Sequence, residues 1–216
     1  AREEPRLVAH IQLAVDTLQN LLDAILDISR LDEGKVVPQV ADFSLGVLFD
    51  RLGDDLSLLA EQNDLKLKLR PTQAWVRSDQ KIVARILLNL VGNALRYTHA
   101  GGVLVSCRRR PGVVRVEVWD TGVGIPDHAR EAIFEEYVQL GNPERDQAKG
   151  LGLGLAICRR LADLLDIPIG VRSRPGRGSV FWIDLPLSTD PAPDAISSAD
   201  PLPAHGGDHG RIFGTV

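Results

Sequence analysis

The sequence predicts an α+β fold, a mixed sheet with helices on one face, preceded by one long amphipathic helix. Three observations carry this expectation. A heptad-like apolar stripe runs through residues 7–31, alternating apolar runs recur in clusters between 65 and 187, and the helical segments are clustered too. Strict alternation of strand and helix would have implied a doubly wound parallel sheet instead.

The stripe comes first. Leu7, Ile11, Ala14, Leu18, Leu21, Ile25 and Ile28 recur at alternating spacings of four and three, and Val8, Val15 and Leu22 widen the face as a bundle helix needs. Gly34 suits the position just past the helix end, and Pro38 prevents resumption. Such a helix either packs on its own domain or pairs with others in a dimer. The length of the stripe and its place before the globular part favour the dimer.

From Asp42 onward the pattern is mixed. Ser44 is placed to cap a helix whose Leu45, Leu48, Leu52, Leu56 and Leu59 face inward. Leu65 to Leu69 alternates as a half-buried strand, and Ala74 to Arg77 reads as a second. Ser78 or Asp79 then caps a long helix carrying Ile82, Ile86, Leu90, Asn89 and Asn93. Strands follow at Val103–Arg108 and Val113–Trp119, then a short irregular stretch and a helix from Leu151 to Leu165. Ile167–Ser173 and Ser179–Leu187 read as a closing strand pair, turned at Pro175-Gly-Arg-Gly178. Beyond Ser188 the composition shifts: Pro191, Pro193, Pro201 and Pro203 among Ala, Ser, Asp and Gly read as a disordered linker without a core. Residues 211–216 turn apolar again, like the first strand of another domain.

Composition narrows the function. A length of 216 residues with 44% hydrophobic content suffices for one core plus an appendage. The net charge of −4 gives no reason to expect nucleic acid, and Arg108-Arg109-Arg110 reads as a solvated strand end. Cys107 and Cys158 fit no metal or redox spacing and read as buried, reduced thiols of a cytoplasmic protein. No apolar run approaches a membrane span, so no membrane contact is expected of this stretch. The absence of methionine, even at position 1, suggests a piece of a longer protein.

Three polar features suggest chemistry. The turn Lys149 to Gly154 leads into a helix, and its glycines let backbone N–H groups approach a phosphate at a helix N-terminus. It is neither a P-loop, which needs Gly-x4-Gly-Lys-Ser/Thr, nor a good Gly-x-Gly-x-x-Gly dinucleotide turn. Asn89 and Asn93 stand four apart on an otherwise apolar helix, so two amide oxygens project from one face. Buried asparagines can merely satisfy backbone groups, but two at this spacing suit a hard cation better. Asp120 ends a strand and opens Thr-Gly-Val-Gly, where Gly122 and Gly124 free the backbone. Its carboxylate either closes a structural Asx-turn or accepts a hydrogen bond from the exocyclic amine of adenine.

In this order the segments resemble the sensor histidine kinases. Residues 85–98 resemble their N box, 120–126 the G1 box, Ile133 to Tyr137 the F box, 150–155 the G2 box, and Gly176 to Phe181 the final Gly-rich segment. The likeness covers residues 42 to about 187. It implies the GHKL (Bergerat-type) ATP-binding fold, a two-layer α/β sandwich that holds ATP and Mg2+ under a mobile lid, here roughly 138–149. The resemblance further implies that Asn93 holds Mg2+, with Asn89 near metal and phosphates. Arg96 would contact phosphate, Tyr97 would lie against adenine, and Asp120 would read its amine. Gly122, Gly124 and Ile125 would shape the base site. The backbone of Gly150, Leu151, Gly152, Leu153, Gly154 and Leu155 would close on the phosphates, Ser179 would lie nearby, and Phe134 would anchor the lid. ATPases of this superfamily carry a glutamate at the position of Asn89. An amide cannot activate water, so the γ-phosphoryl should be kept for a protein acceptor.

Ile28 to Gly34 resembles the end of the second helix of the family's dimerisation and phosphoacceptor domain. The acceptor there is a His followed by an acid, and none of His10, His99, His128, His205 and His209 is so followed. The resemblance therefore implies three parts: residues 1–38 as a partial dimerisation helix, 39–188 as the catalytic domain, and 189–216 as a linker toward a further domain. Implied partners are the dimerisation helices of a homodimer and a response regulator or fused receiver. A GHKL ATPase driving conformational change and a degenerate scaffold are the competing readings.

Overall fold

The computed structural model describes residues 36–140 and 152–189. The expected first helix, the centre of the lid, Gly150, Leu151 and most of the linker lie outside the described residues. No helix among the described residues is long and apolar enough to cross a membrane.

The chain enters through β1 (Ala41–Ser44), a strand that sequence reasoning did not separate from the helix after it. Ser44 caps α1 (Leu45–Gln62) through a long 3.4 Å bond from the Val47 amide. Leu45, Leu48, Leu52 and Leu56 are buried as expected, whereas Leu59 is exposed and Phe49 and Ala60 complete the inner face. That correction is a phase error, since Ala60 continues the row that Leu56 belongs to. After β2 (Lys66–Leu69) and β3 (Trp75–Ser78) comes α2 (Gln80–Arg96). Then follow β4 (Gly102–Arg110), β5 (Val113–Asp120), two short 3-10 turns, α3 (Gly154–Leu164), β6 (Ile169–Arg174) and β7 (Gly178–Pro186). The helix expected from Leu151 starts three residues later, because Gly152 has a positive φ of 72° that an α-helix does not admit.

Five strands form one sheet in the order β2-β4-β5-β7-β6. β2 runs parallel to β4 and every other pair is antiparallel, so the sheet is mixed. A separate antiparallel pair, β1-β3, sits where the chain enters and joins the end of β7 through a Val76–Leu187 bridge. Alternation decides which face is covered. Val114, Val116, Val118, Ile183 and Leu185 are at most 1% exposed and meet Ile86, Leu87, Leu90 and Cys158 from the helices. Each such side chain contributes about 1.5–3 kcal/mol on burial. On the other face, Arg115 bridges Asp184 with two bonds of 2.6 Å and lies 3.7 Å over the Trp182 ring, while Arg108 pairs with Glu117. The arginine run therefore ends β4, exposed as expected, with its first member tied to a buried acid.

Asp79, the alternative to Ser78, is the residue that caps α2. Its Oδ1 accepts from the Lys81 and Ile82 amides at 2.9 and 3.1 Å, and its Oδ2 accepts from the Gln39 amide at 2.7 Å. One buried carboxylate thus fixes both the asparagine-bearing helix and the entering chain. Asp79→Ala should cost about 2 kcal/mol, the upper range for a lost cap. That is a fall of about 4–8 °C in melting temperature. A melting curve unchanged from the parent would show that the cap contributes nothing to stability.

The two thiols differ. Cys158 is fully buried, its thiol pushed up to about 12 by burial, and Cys107 is only half-buried, with its Sγ 3.1 Å from the Thr72 hydroxyl. Both are free, as the spacing implied.

Candidate functional site

The glycine turns and the asparagine helix meet at one end of the covered face, where β5 ends and α3 begins. Asp120 is the last residue of β5. Its Oδ1 accepts from the Gly122 amide at 2.8 Å and from the Ser179 amide at 3.1 Å. The first bond is the Asx-turn, so the structural reading of Asp120 holds for one oxygen without excluding a ligand role for the group. Burial pushes this carboxyl above the ordinary aspartate range, while the bonds from Gly122 and Ser179 pull it back down.

Close backbone approach explains the glycines around it. A Cβ at Gly122 would lie 2.4 Å from the Tyr97 carbonyl oxygen. One at Gly178 would lie 2.0 Å from the carbonyl oxygen of Asp120, at a φ of 85° besides. Gly124, at φ 70°, brings the following residue to β6, where the Ile125 amide donates to Ser173 Oγ at 2.7 Å. The base-side wall is therefore made of segments 120–125, 173–174 and 178–179, in close backbone approach at Gly124 and Gly178 and bridged by the Asp120 and Ser173 side chains.

The second half of the site faces the N-terminus of α3. Asn89 donates its Nδ2 to the Arg85 carbonyl at 3.2 Å, which turns Oδ1 the other way. A Cβ on Gly154, the first residue of α3, would meet Asn89 Oδ1 at 3.2 Å and Asn93 Nδ2 at 3.6 Å. Leu153 offers no side-chain cap to this helix, so its first N–H groups and positive dipole end lie beside two amide side chains. That is a donor set for phosphate with neutral oxygens for a hard cation. Among the described residues no cluster of His, Cys, Asp and Glu competes as a metal site.

The remaining expected residues fall around these two halves. Arg96 is exposed on the last turn of α2, and Tyr97 follows as its half-buried C-cap residue. Leu155 packs against the core at its edge, as does Ile125. Phe134 is buried, its ring edge-on to Phe181 at 6.4 Å and covered by Arg159 at 4.7 Å. The Tyr137 amide donates to the Gly152 carbonyl at 3.1 Å, so the two stems of the expected lid are tied at their base. Arg160 pairs with Glu136 beside that tie. Sequence reasoning missed Ser173, Arg159 and the Tyr137–Gly152 tie. A lone serine in a strand and an arginine on a helix carry no motif, and pairing between backbone atoms leaves no residue signature.

The comparisons agree with this geometry. Residues 78–189 match the family described as histidine kinase-, DNA gyrase B- and HSP90-like ATPases. The chain belongs to that family of ATP-binding domains. Within it, the likeness is to histidine kinases. The chain is 36% identical over 200 residues to the sensor histidine kinase AruS of Pseudomonas aeruginosa, covering 87% of this chain and 19% of that protein. Among solved structures, ShkA in complex with AMPPNP aligns with a TM-score of 0.74 at 30% identity, over 87% of this chain and 40% of that one. The catalytic domain of histidine kinase ThkA aligns at 0.59 with 26% identity, over 68% of this chain and 95% of its own. The chain spans about a fifth of the length of the curated relatives it matches.

Proposed function

We propose that this chain carries the ATP-binding catalytic domain of a bacterial sensor histidine kinase, which transfers the γ-phosphoryl of Mg-ATP to a histidine outside this chain. The observation that carries the reading is the convergence of Asn89 and Asn93 on the N-terminus of α3, across from a braced Asp120. Asp120 reads the adenine amine through Oδ2, with Tyr97, Ile125 and Ser179 completing the base site. Asn93, with Asn89 beside it, would hold Mg2+, and Arg96 and the backbone of 150–155 would meet the phosphates. The amide oxygens suit that ion, which takes few protein ligands and prefers phosphate oxygens for the rest. When bound, it neutralises charge on the β- and γ-phosphates. Residues 1–38 belong to a dimerisation helix and 189–216 to a linker in this reading. A response regulator or a fused receiver would take the phosphoryl onward.

Calorimetry with Mg-ATP and Mg-GTP tests the reading, with binding expected for the adenine nucleotide alone. The pH profile follows from Asp120. Burial raises its pKa, so the charged acceptor is present above that pKa and lost as pH falls through it. ATP affinity should therefore decline on acidification at a pH above the ordinary aspartate range. The same shift means that ionising Asp120 costs some stability as pH rises through its folded pKa. Equal binding of GTP, or affinity flat down to the ordinary aspartate range, would count against the site. Steady ATP hydrolysis faster than about 1 s⁻¹ would favour a conformational ATPase instead.

A further inference from the structure

We infer that Ser173 is a positioning residue for adenine recognition, acting on Asp120 through Ser179. The inference rests on the role proposed above for Asp120. Ser173 stands on β6 opposite Ser179 on β7, and both are 6% exposed. Its Oγ accepts from the Ile125 amide at 2.7 Å, lies 2.9 Å from Ser179 Oγ and reaches the Gly178 carbonyl at 3.0 Å. A hydroxyl has one proton to give. With the Ile125 amide taking one lone pair, the Ser173 proton goes to the Gly178 carbonyl. Held by that bond, the Gly178–Ser179 peptide turns its N–H to Asp120 Oδ1 at 3.1 Å. Ser173 thus ties the turn after Asp120 to the turn before Ser179, and it sets the placing of the Ser179 amide that braces Asp120. Its carbonyl is held separately by Arg130 Nη2 at 2.7 Å, so the strand keeps its place independently of the hydroxyl.

A merely structural serine would weaken every nucleotide alike. A serine that positions Asp120 would weaken only those whose base offers an amine to read. Titration calorimetry on the 216-residue chain should compare ATP with purine riboside triphosphate, which lacks the exocyclic amine. Ser173→Ala should lower ATP affinity about five- to tenfold, the range for one buried hydrogen bond. Binding of purine riboside triphosphate should move by less than about twofold, so the preference between the two collapses. Ser173→Cys, of similar size but a weak hydrogen-bonding partner, should do the same if the alanine variant fails to fold. In an Asp120→Ala background the Ser173 change should add nothing further, since coupled residues are not additive. Equal losses for both nucleotides, a preference retained in the cysteine variant, or full additivity with Asp120→Ala would each overturn the inference. If the parent chain itself shows no preference for ATP over purine riboside triphosphate, the reading of Asp120 fails first.

Discussion

Incubated alone with γ-labelled Mg-ATP, this chain should take up almost no label, although it binds the nucleotide. Phosphoryl transfer has little covalent chemistry for the protein to supply, and the rate comes from holding donor and acceptor in line at near-contact distance. That positioning is worth about 7–11 kcal/mol, several powers of ten in rate. On the proposed reading the chain holds the donor site without an acceptor imidazole, because none of its five histidines is followed by an acid. Asn89 is no general base, so transfer to water should be slow as well. A second protein carrying the complete dimerisation hairpin should become labelled when added, and the label should be acid-labile and base-stable. Such a label on His10 of this chain would overturn both the helix assignment and the absence of an acceptor.

How much of this was legible beforehand depends on the kind of signal. Helices α1 and α2 were readable because their apolar rows are long, and Ser44 and Asp79 mark where they begin. The register of α1 slipped at Leu59 because an alanine, Ala60, fills the buried position and a leucine the exposed one. β1 escaped notice because four residues of strand cannot be told from a helix entry, and its partner β3 is 31 or more residues away. The mixed order of the sheet followed from clustering, but the placement of β2 beside β4 rests on a parallel pairing that no local pattern encodes. At the site, glycines and amides announced themselves because each is costly where it stands without a reason. Ser173, Arg159 and the Tyr137–Gly152 tie were silent. They act through shape set by distant segments, and their residue types are ordinary on any strand or helix.

Replacing the Asp120 carboxylate should weaken ATP binding about ten- to a hundredfold. A charge-assisted hydrogen bond contributes about 1.5–3 kcal/mol, and about 1.4 kcal/mol corresponds to a factor of ten. Asp120→Ala alone mixes two effects, since Oδ1 also braces the Gly122 and Ser179 amides at 2.8 and 3.1 Å. Asp120→Asn separates them. Two amide donors converge on the Oδ1 position, so the asparagine should keep its oxygen there and preserve the turn. Its Nδ2 then replaces the second oxygen and presents a donor to the donor amine of adenine. The asparagine variant should therefore stay within about 1 kcal/mol of the parent in stability, because both braced amides keep an oxygen acceptor. It should nonetheless lose ATP as fully as the alanine variant. Guanine, which offers a carbonyl where adenine offers an amine, should lose nothing and gain a donor to meet it. Calorimetry that finds ATP affinity unchanged in both variants would remove Asp120 from base recognition. An asparagine variant that unfolds would show instead that the two braced amides need the charge, and that the Asx-turn is the carboxylate's principal duty.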